Sequence, residues 1–172
     1  MSGARLGGLV ILLRTLTDAD VALIQRWPPY PPAFDELDYA LREHGWLTEF
    51  RNQPNAQCYL ASDDAESIAF ALLAKTADKQ AEFRVALRAD MIGRGYGETV
   101  TRMVLDTGFS NLDLERIHLI VRKTNPRAQR LYQKIGFVTR GECVKDIHGK
   151  PVELIEMDIE RARYRAAQQE QS

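Results

Sequence analysis

The sequence predicts a mixed α/β fold in a single domain, and three observations carry that prediction. The chain has 172 residues, a length that suits one domain with its own core. Apolar residues fall into about seven short runs of strand length and about four stretches of helical period. The two kinds alternate along the chain in the order strand, two helices, three strands, helix, strand, helix, two strands. A domain of this size buries roughly 70% of its unfolded surface, so folding calls for neither disulfides nor a structural metal.

Composition narrows the function classes. Lys plus Arg is 23 and Asp plus Glu is 24, giving a net charge of -1. A nucleic-acid binder shows a basic excess, and this chain has none. With 45% hydrophobic and 27% charged residues, it is neither collagen-like, disordered nor a coiled coil. Cys58 and Cys143 sit far apart in apolar runs and read as thiols. His44, His118 and His148 lack ligand spacing, so no metal is expected. Near the N-terminus, the run 6–13 lies between Arg5 and Arg14 with no small-residue cleavage pattern after it. It is far shorter than the ~20 residues of a membrane span. It reads as a buried first strand, and the protein as cytoplasmic.

Each element has its local reason. Residues 9–14 are a short apolar run. Thr17 before Asp18 and Asp20 is helix-start chemistry, because a side-chain oxygen caps free N–H groups and acids oppose the dipole. Pro28 ends that helix, and Trp27-Pro28-Pro29-Tyr30-Pro31-Pro32 is a stiff connector. Residues 33–50 read as a second helix, with Phe34, Leu37, Leu41, Trp46 and Leu47 apolar. Strands are expected at 57–61, 68–75 and 82–88; in the last, Phe83, Val85 and Leu87 alternate with Arg84, Ala86 and Arg88. A helix follows to about residue 112, then an alternating strand at Ile117, Leu119 and Val121. Asn125 and Pro126 suit the cap and first position of a short helix that Gly136 stops. Residues 137–145 and 152–159 read as a hairpin, and 161–172 as a polar, alanine-rich tail, either a frayed helix or without fixed structure, after a domain spanning 1–160.

The chemistry centres on Ile92-Gly93-Arg94-Gly95-Tyr96-Gly97, between a strand and a helix. Glycines there let a ligand approach the backbone, and the helix start offers free N–H groups and a favourable dipole to an anion. The dinucleotide fingerprint fails because Glu98 stands where its third glycine belongs. The nucleotide P-loop fails because no Gly-Lys-Ser/Thr closes the loop.

This loop, the strand at Arg116-Ile117-His118-Leu119-Ile120-Val121, and Asn125-Pro126-Arg127-Ala128-Gln129-Arg130-Leu131-Tyr132-Gln133-Lys134-Ile135-Gly136-Phe137 together resemble the GNAT N-acetyltransferase superfamily. The likeness is closest to its ribosomal-protein-alanine and spermidine N-acetyltransferase branch and covers about residues 81–159. It implies a mostly antiparallel twisted sheet of about seven strands with one splayed parallel pair and four helices. It further implies acetyl-CoA as cosubstrate, an amine acceptor, no metal, no nucleic-acid or membrane partner, and a monomer or homodimer.

By resemblance, the cofactor arm pairs with Val85, Ala86 and Leu87. The pyrophosphate lies on Ile92, Gly93, Arg94, Gly95, Tyr96, Gly97 and Glu98, and Asn125 and Arg130 complete the cofactor contacts. Ile92 departs from the usual Arg or Gln, a loss that Arg94 or Arg88 would have to make good. Tyr132 matches the family's proton donor to the departing thiolate; otherwise it is a packing residue. Glu82 matches a glutamate near the acceptor amine; otherwise it is a surface strand residue. Trp27, Tyr30, Phe34 and Trp46 read equally as acceptor pocket or core. Protein N-termini, polyamines and small amines are all open as acceptors. A non-catalytic acyl-CoA-binding module on the same fold is the competing reading.

Overall fold

The computed structural model describes residues 2–64 and 66–171. Its strands are β1 (Ser2–Leu6), β2 (Leu9–Thr15), β3 (Ala56–Asp63), β4 (Glu66–Ala77), β5 (Gln80–Leu87), β6 (Arg116–Arg122), β7 (Val138–Ile147) and β8 (Lys150–Glu160). Its α-helices are α1 (Asp18–Gln25), α2 (Trp46–Phe50), α3 (Tyr96–Asp106), α4 (Pro126–Ile135) and α5 (Arg161–Glu170), with a 3-10 segment at Pro32–Leu41. The eight strands form one sheet in the order β1-β2-β3-β4-β5-β6-β8-β7. Every neighbouring pair is antiparallel except β5 with β6. The mixed α/β class and the splayed parallel pair are as expected.

The alternation in β5 sorts the two layers. Phe83, Val85 and Leu87 face a core shared with Tyr96, Val100, Val104, Ile135 and Phe137 of the α3/α4 side. Ala86 faces a second core with Trp27, Leu41, Leu47, Phe50 and Phe70, under α1, the 3-10 segment and α2. Helix α1 begins on the expected cap: Thr17 accepts from the Asp20 N–H, and the Asp20 carboxylate accepts from the Thr17 N–H.

Four expectations change. An eighth strand, β1, forms a hairpin with β2 across Gly7-Gly8; its short, small and polar run carries no alternation signal. The helix expected at 33–50 is two pieces, the 3-10 segment and α2. Gly45 stands at the break in an extended conformation, where only glycine fits, because a Cβ would lie 2.0 Å from the Tyr39 carbonyl oxygen. The helix expected to run to residue 112 is α3, continued by a π turn at Thr107–Asn111. Of the two readings of the polar tail, the helix holds: it forms α5, a fifth helix beyond the four expected. It is anchored by Tyr164, which is buried and donates to the Asp106 carboxylate at 2.8 Å.

Candidate active site

The site begins where β5 and β6 part. They pair at Gln80 with Arg116, Ala81 with Ile117 and Glu82 with His118, and no further. Opposite residues of an antiparallel pair alternately exchange both bonds or turn both groups outward. The Arg88 N–H donates to the Ile68 carbonyl. By the β4–β5 register, Arg84 and Ala86 therefore also face β4, while Phe83, Val85 and Leu87 turn their backbone groups into the gap. On the other side, Lys123 donates to the Glu153 carbonyl, so Ile120 and Arg122 face the gap from β6. Of the expected pairing strip, Val85 offers both edge groups and Leu87 its N–H, whereas the Leu87 carbonyl accepts from the Tyr30 hydroxyl and the Ala86 backbone is spent on Phe70.

A cavity of about 490 Å³ fills this gap. Of the residues expected at the site, Val85, Ala86, Leu87, Ile92, Gly93, Gly95, Gly97, Glu98, Asn125, Arg130 and Tyr132 line it. Arg94 and Tyr96 do not. Arg94 is exposed beside the loop, and the Tyr96 ring turns into the core, where its hydroxyl donates to Asp63 at 2.9 Å. Its chain position, directly after Gly95, places its N–H in the helix start while its side chain serves packing. Glu82 is also absent from the lining. It sits at the last paired rung, and its carboxylate accepts from Arg84 Nε at 2.7 Å.

At one end lies the glycine turn. Gly93 and Gly95 have φ of 85° and 87°, which a side chain resists, and Gly95 caps α3 without any side-chain hydrogen bond. The first-turn N–H groups of α3 have no intrahelical acceptors, which leaves an anion cradle. Added Cβ atoms distinguish the glycines: that of Gly95 would face Leu6 of β1, whereas that of Gly97 would meet Leu131 and Leu87, beside the gap. The Arg127 guanidinium stands next to Gly93 and lines the cavity with Arg130. Arg94, Arg127 and Arg130 have no ion-pair partner among the described residues. Arg88 cannot replace the missing polar side chain at Ile92, because Asp90, Glu66 and the Ser67 carbonyl hold it. Arg127 was missed in the sequence; its signal was its place directly after Asn125-Pro126.

In the middle is Tyr132. Asn125 caps α4 by accepting from the Ala128 N–H at 3.2 Å and lines the cavity. One face of α4 then presents Ala128, Leu131 and Tyr132 to the β5 side. The Tyr132 ring packs edge-on against Phe83 and Phe137, with centroids 6.4 and 5.5 Å away. Its hydroxyl has no hydrogen-bond partner among the described residues. Burial pushes its pKa up to about 12, so the phenol keeps its proton at neutral pH.

At the far end is an aromatic chamber. Tyr30, Phe34 and Trp46 line it, together with Leu37 and Tyr39 from the 3-10 segment. Trp27 does not, and instead donates from the core to Ser67. Ile147 and Leu154 of the β7–β8 hairpin close the wall, and His148 at its tip packs on Tyr39. Arg84 stacks on Trp46 and Phe50 and is paired with Glu82 and Glu49. Arg122 is paired with Glu36. His118, opposite Glu82, bonds Thr76 at 2.8 Å, and burial, with Arg116 nearby, lowers its pKa.

Among the described residues, no cluster of His, Cys, Asp and Glu fits a metal ion. No described helix is long and apolar enough to cross a membrane.

Comparison with known proteins agrees with this geometry. A family model described as an acetyltransferase (GNAT) domain matches residues 11–138. The spermidine N(1)-acetyltransferase of Vibrio cholerae is 29% identical over 142 residues, covering 79% of this chain and 78% of that protein. The spermidine N(1)-acetyltransferase of Escherichia coli K12 is 32% identical over 90 residues, covering 51% of this chain and 48% of that one. A crystal structure of spermidine N-acetyltransferase from Vibrio cholerae in complex with CoA and spermine superposes with a TM-score of 0.71 at 25% identity. It covers 90% of this chain and 97% of that one. With the parted strands, the uncapped glycine turn and a family match over most of its length, the chain belongs to the GNAT family and is an acetyl-CoA-dependent N-acetyltransferase.

Proposed function

We propose that this enzyme acetylates a primary amine by direct attack, with acetyl-CoA and the amine bound at the same time. One observation carries the reading: a single cavity runs through the gap between β5 and β6, joining the anion cradle at α3 to the aromatic chamber. When bound, acetyl-CoA supplies an activated thioester carbonyl. The residues present fit it. The first-turn N–H groups of α3, with Arg127 and Arg130, suit a pyrophosphate, and the edge groups of Val85 with the Leu87 N–H suit an amide-bearing arm.

The chain's own residues then have these roles. The walls of the gap hold the amine nitrogen against the carbonyl, replacing a bimolecular encounter with a positioned one. N–H groups on the β5 edge polarise the carbonyl oxygen. An alkylammonium near pKa ~10 must lose a proton before attack. Glu82, fixed by Arg84 at the fork, takes that proton through water. The attack forms the N–C bond as the C–S bond breaks, and Tyr132 protonates the departing sulfur. The relatives make polyamines the first acceptor class to test, ahead of protein N-termini. The two free cysteines suit a cytoplasmic location.

Thiol release from acetyl-CoA across an amine panel tests the reading, alongside melting curves with CoA. At about 100 times its dissociation constant, CoA should stabilise the fold by roughly 2.7 kcal/mol. CoA binding without thiol release from any amine would refute the transfer reaction.

A further inference from the structure

We infer that the preferred acceptor is a primary monoamine with an aromatic or branched apolar body, rather than a polycation; this rests on the acetyl-transfer reading above. The first observation is the wall. Phe34, Leu37, Tyr39, Trp46, Ile147 and Leu154 line the half-open chamber beyond the gap, a surface that gains by covering an apolar group.

The second observation is the charge. The charged side chains reaching this end are the guanidiniums of Arg84 and Arg122. Their partners Glu82, Glu49 and Glu36 leave one carboxylate in excess of the two cations. None of these three carboxylates lines the cavity, so they face the guanidiniums rather than the chamber. The carboxylate that lines the cavity itself, Glu98, lies on α3 at the anion-cradle end and is bound to Arg102 and Lys134. Each further ammonium of a polyamine held in the chamber would lie beside guanidiniums with no carboxylate on the wall, and a desolvated cation without a partner is costly. The buried indole N–H of Trp46 has no partner among the described residues; being a donor itself, it offers an ammonium nothing.

A monoamine meets this cost only once. It enters with one charge and loses it before attack, and its body then needs only apolar contact.

The test compares kcat/KM, read as thiol release, for 2-phenylethylamine, spermidine, ethanolamine and an alanine-terminated tetrapeptide. 2-Phenylethylamine should exceed each of the others by about tenfold or more, the discrimination an apolar pocket supplies. Phe34→Ala and Trp46→Ala should each lower that value about tenfold through the amine KM, leaving the acetyl-CoA KM within about twofold. Phe34 is half-buried at the chamber, so its variant remains informative if Trp46→Ala fails to fold. Higher efficiency with spermidine or the peptide, or parity with ethanolamine, overturns the acceptor class and leaves acetyl transfer standing. Release with no amine at all overturns transfer and the acceptor class together.

Discussion

The Tyr30 hydroxyl donates a hydrogen bond to the main-chain carbonyl of Leu87, joining the proline-rich connector to the open edge of β5. That carbonyl is one of the groups the parted strands leave facing the gap. The connector therefore satisfies the end of the edge and marks where the aromatic chamber begins. The backbone N–H of Tyr30 in turn donates to Asp38, so the contact also fixes the 3-10 segment.

Removing this link should loosen both ends at once. Tyr30→Phe keeps the ring but leaves the part-buried Leu87 carbonyl without this donor, a loss of about 1 kcal/mol and roughly 2–4 °C in Tm for a chain of this length. The amine KM should rise while CoA affinity holds. Differential scanning calorimetry and steady-state kinetics on the variant read both.

Tyr132→Phe separates chemistry from packing. Because the hydroxyl has no partner among the described residues, stability should change little. Turnover should fall by about 10²–10⁴-fold, the usual contribution of a general acid. With its pKa pushed up to about 12 by burial, the donor stays protonated across the working range. No alkaline loss of kcat from this group is expected below about pH 11. Near-full turnover in the variant, with chemistry rate-limiting, would make Tyr132 a packing residue.

The glycines should fail in different ways. Gly97→Val projects toward Leu87 and Leu131 beside the gap and should weaken CoA binding with a modest effect on Tm. Gly95→Ala has room beside Leu6 but must hold φ at 87°, so its cost, about 1 kcal/mol, appears chiefly in stability. Titration calorimetry with CoA and melting curves distinguish the two.

Arg127→Ala and Arg130→Ala should each reduce CoA affinity by several-fold, with a weaker salt dependence than the parent. Ile92→Arg adds a charged donor to the same mouth and should bind CoA equally or more tightly. Unchanged affinity and salt dependence in both alanine variants would move the phosphates elsewhere.

Acid stability should reflect Asp20. Its hydrogen bond with Arg14 above all holds the pKa at about 2, against an ordinary 3.8. A depressed folded-state pKa gives stability that is present above about pH 4 and lost as pH falls toward 2, by roughly 2 kcal/mol. Denaturant melts across that window should show a slope that Asp20→Asn flattens.

Much of this protein was written locally. The Thr17 and Asn125 caps, the alternation in β5 and β6 and the glycine turn are short-range patterns, set by period and backbone freedom within a few residues. They were enough to predict the fold class and most of the expected residues that line the cavity. Other features depended on contacts far apart in sequence. The chain before α2 packs so close to the Tyr39 carbonyl that only Gly45 fits there, and α5 is held by buried Tyr164 donating to Asp106. The ring of Tyr96 turns to Asp63, Arg127 stands beside Gly93, and Glu82 stays at the fork behind Arg84. Sequence decided which residues enter each element, because helix and strand periods are local. Tertiary structure decided where each side chain points and what charge surrounds it, because burial and pairing arise only when distant segments close on one another.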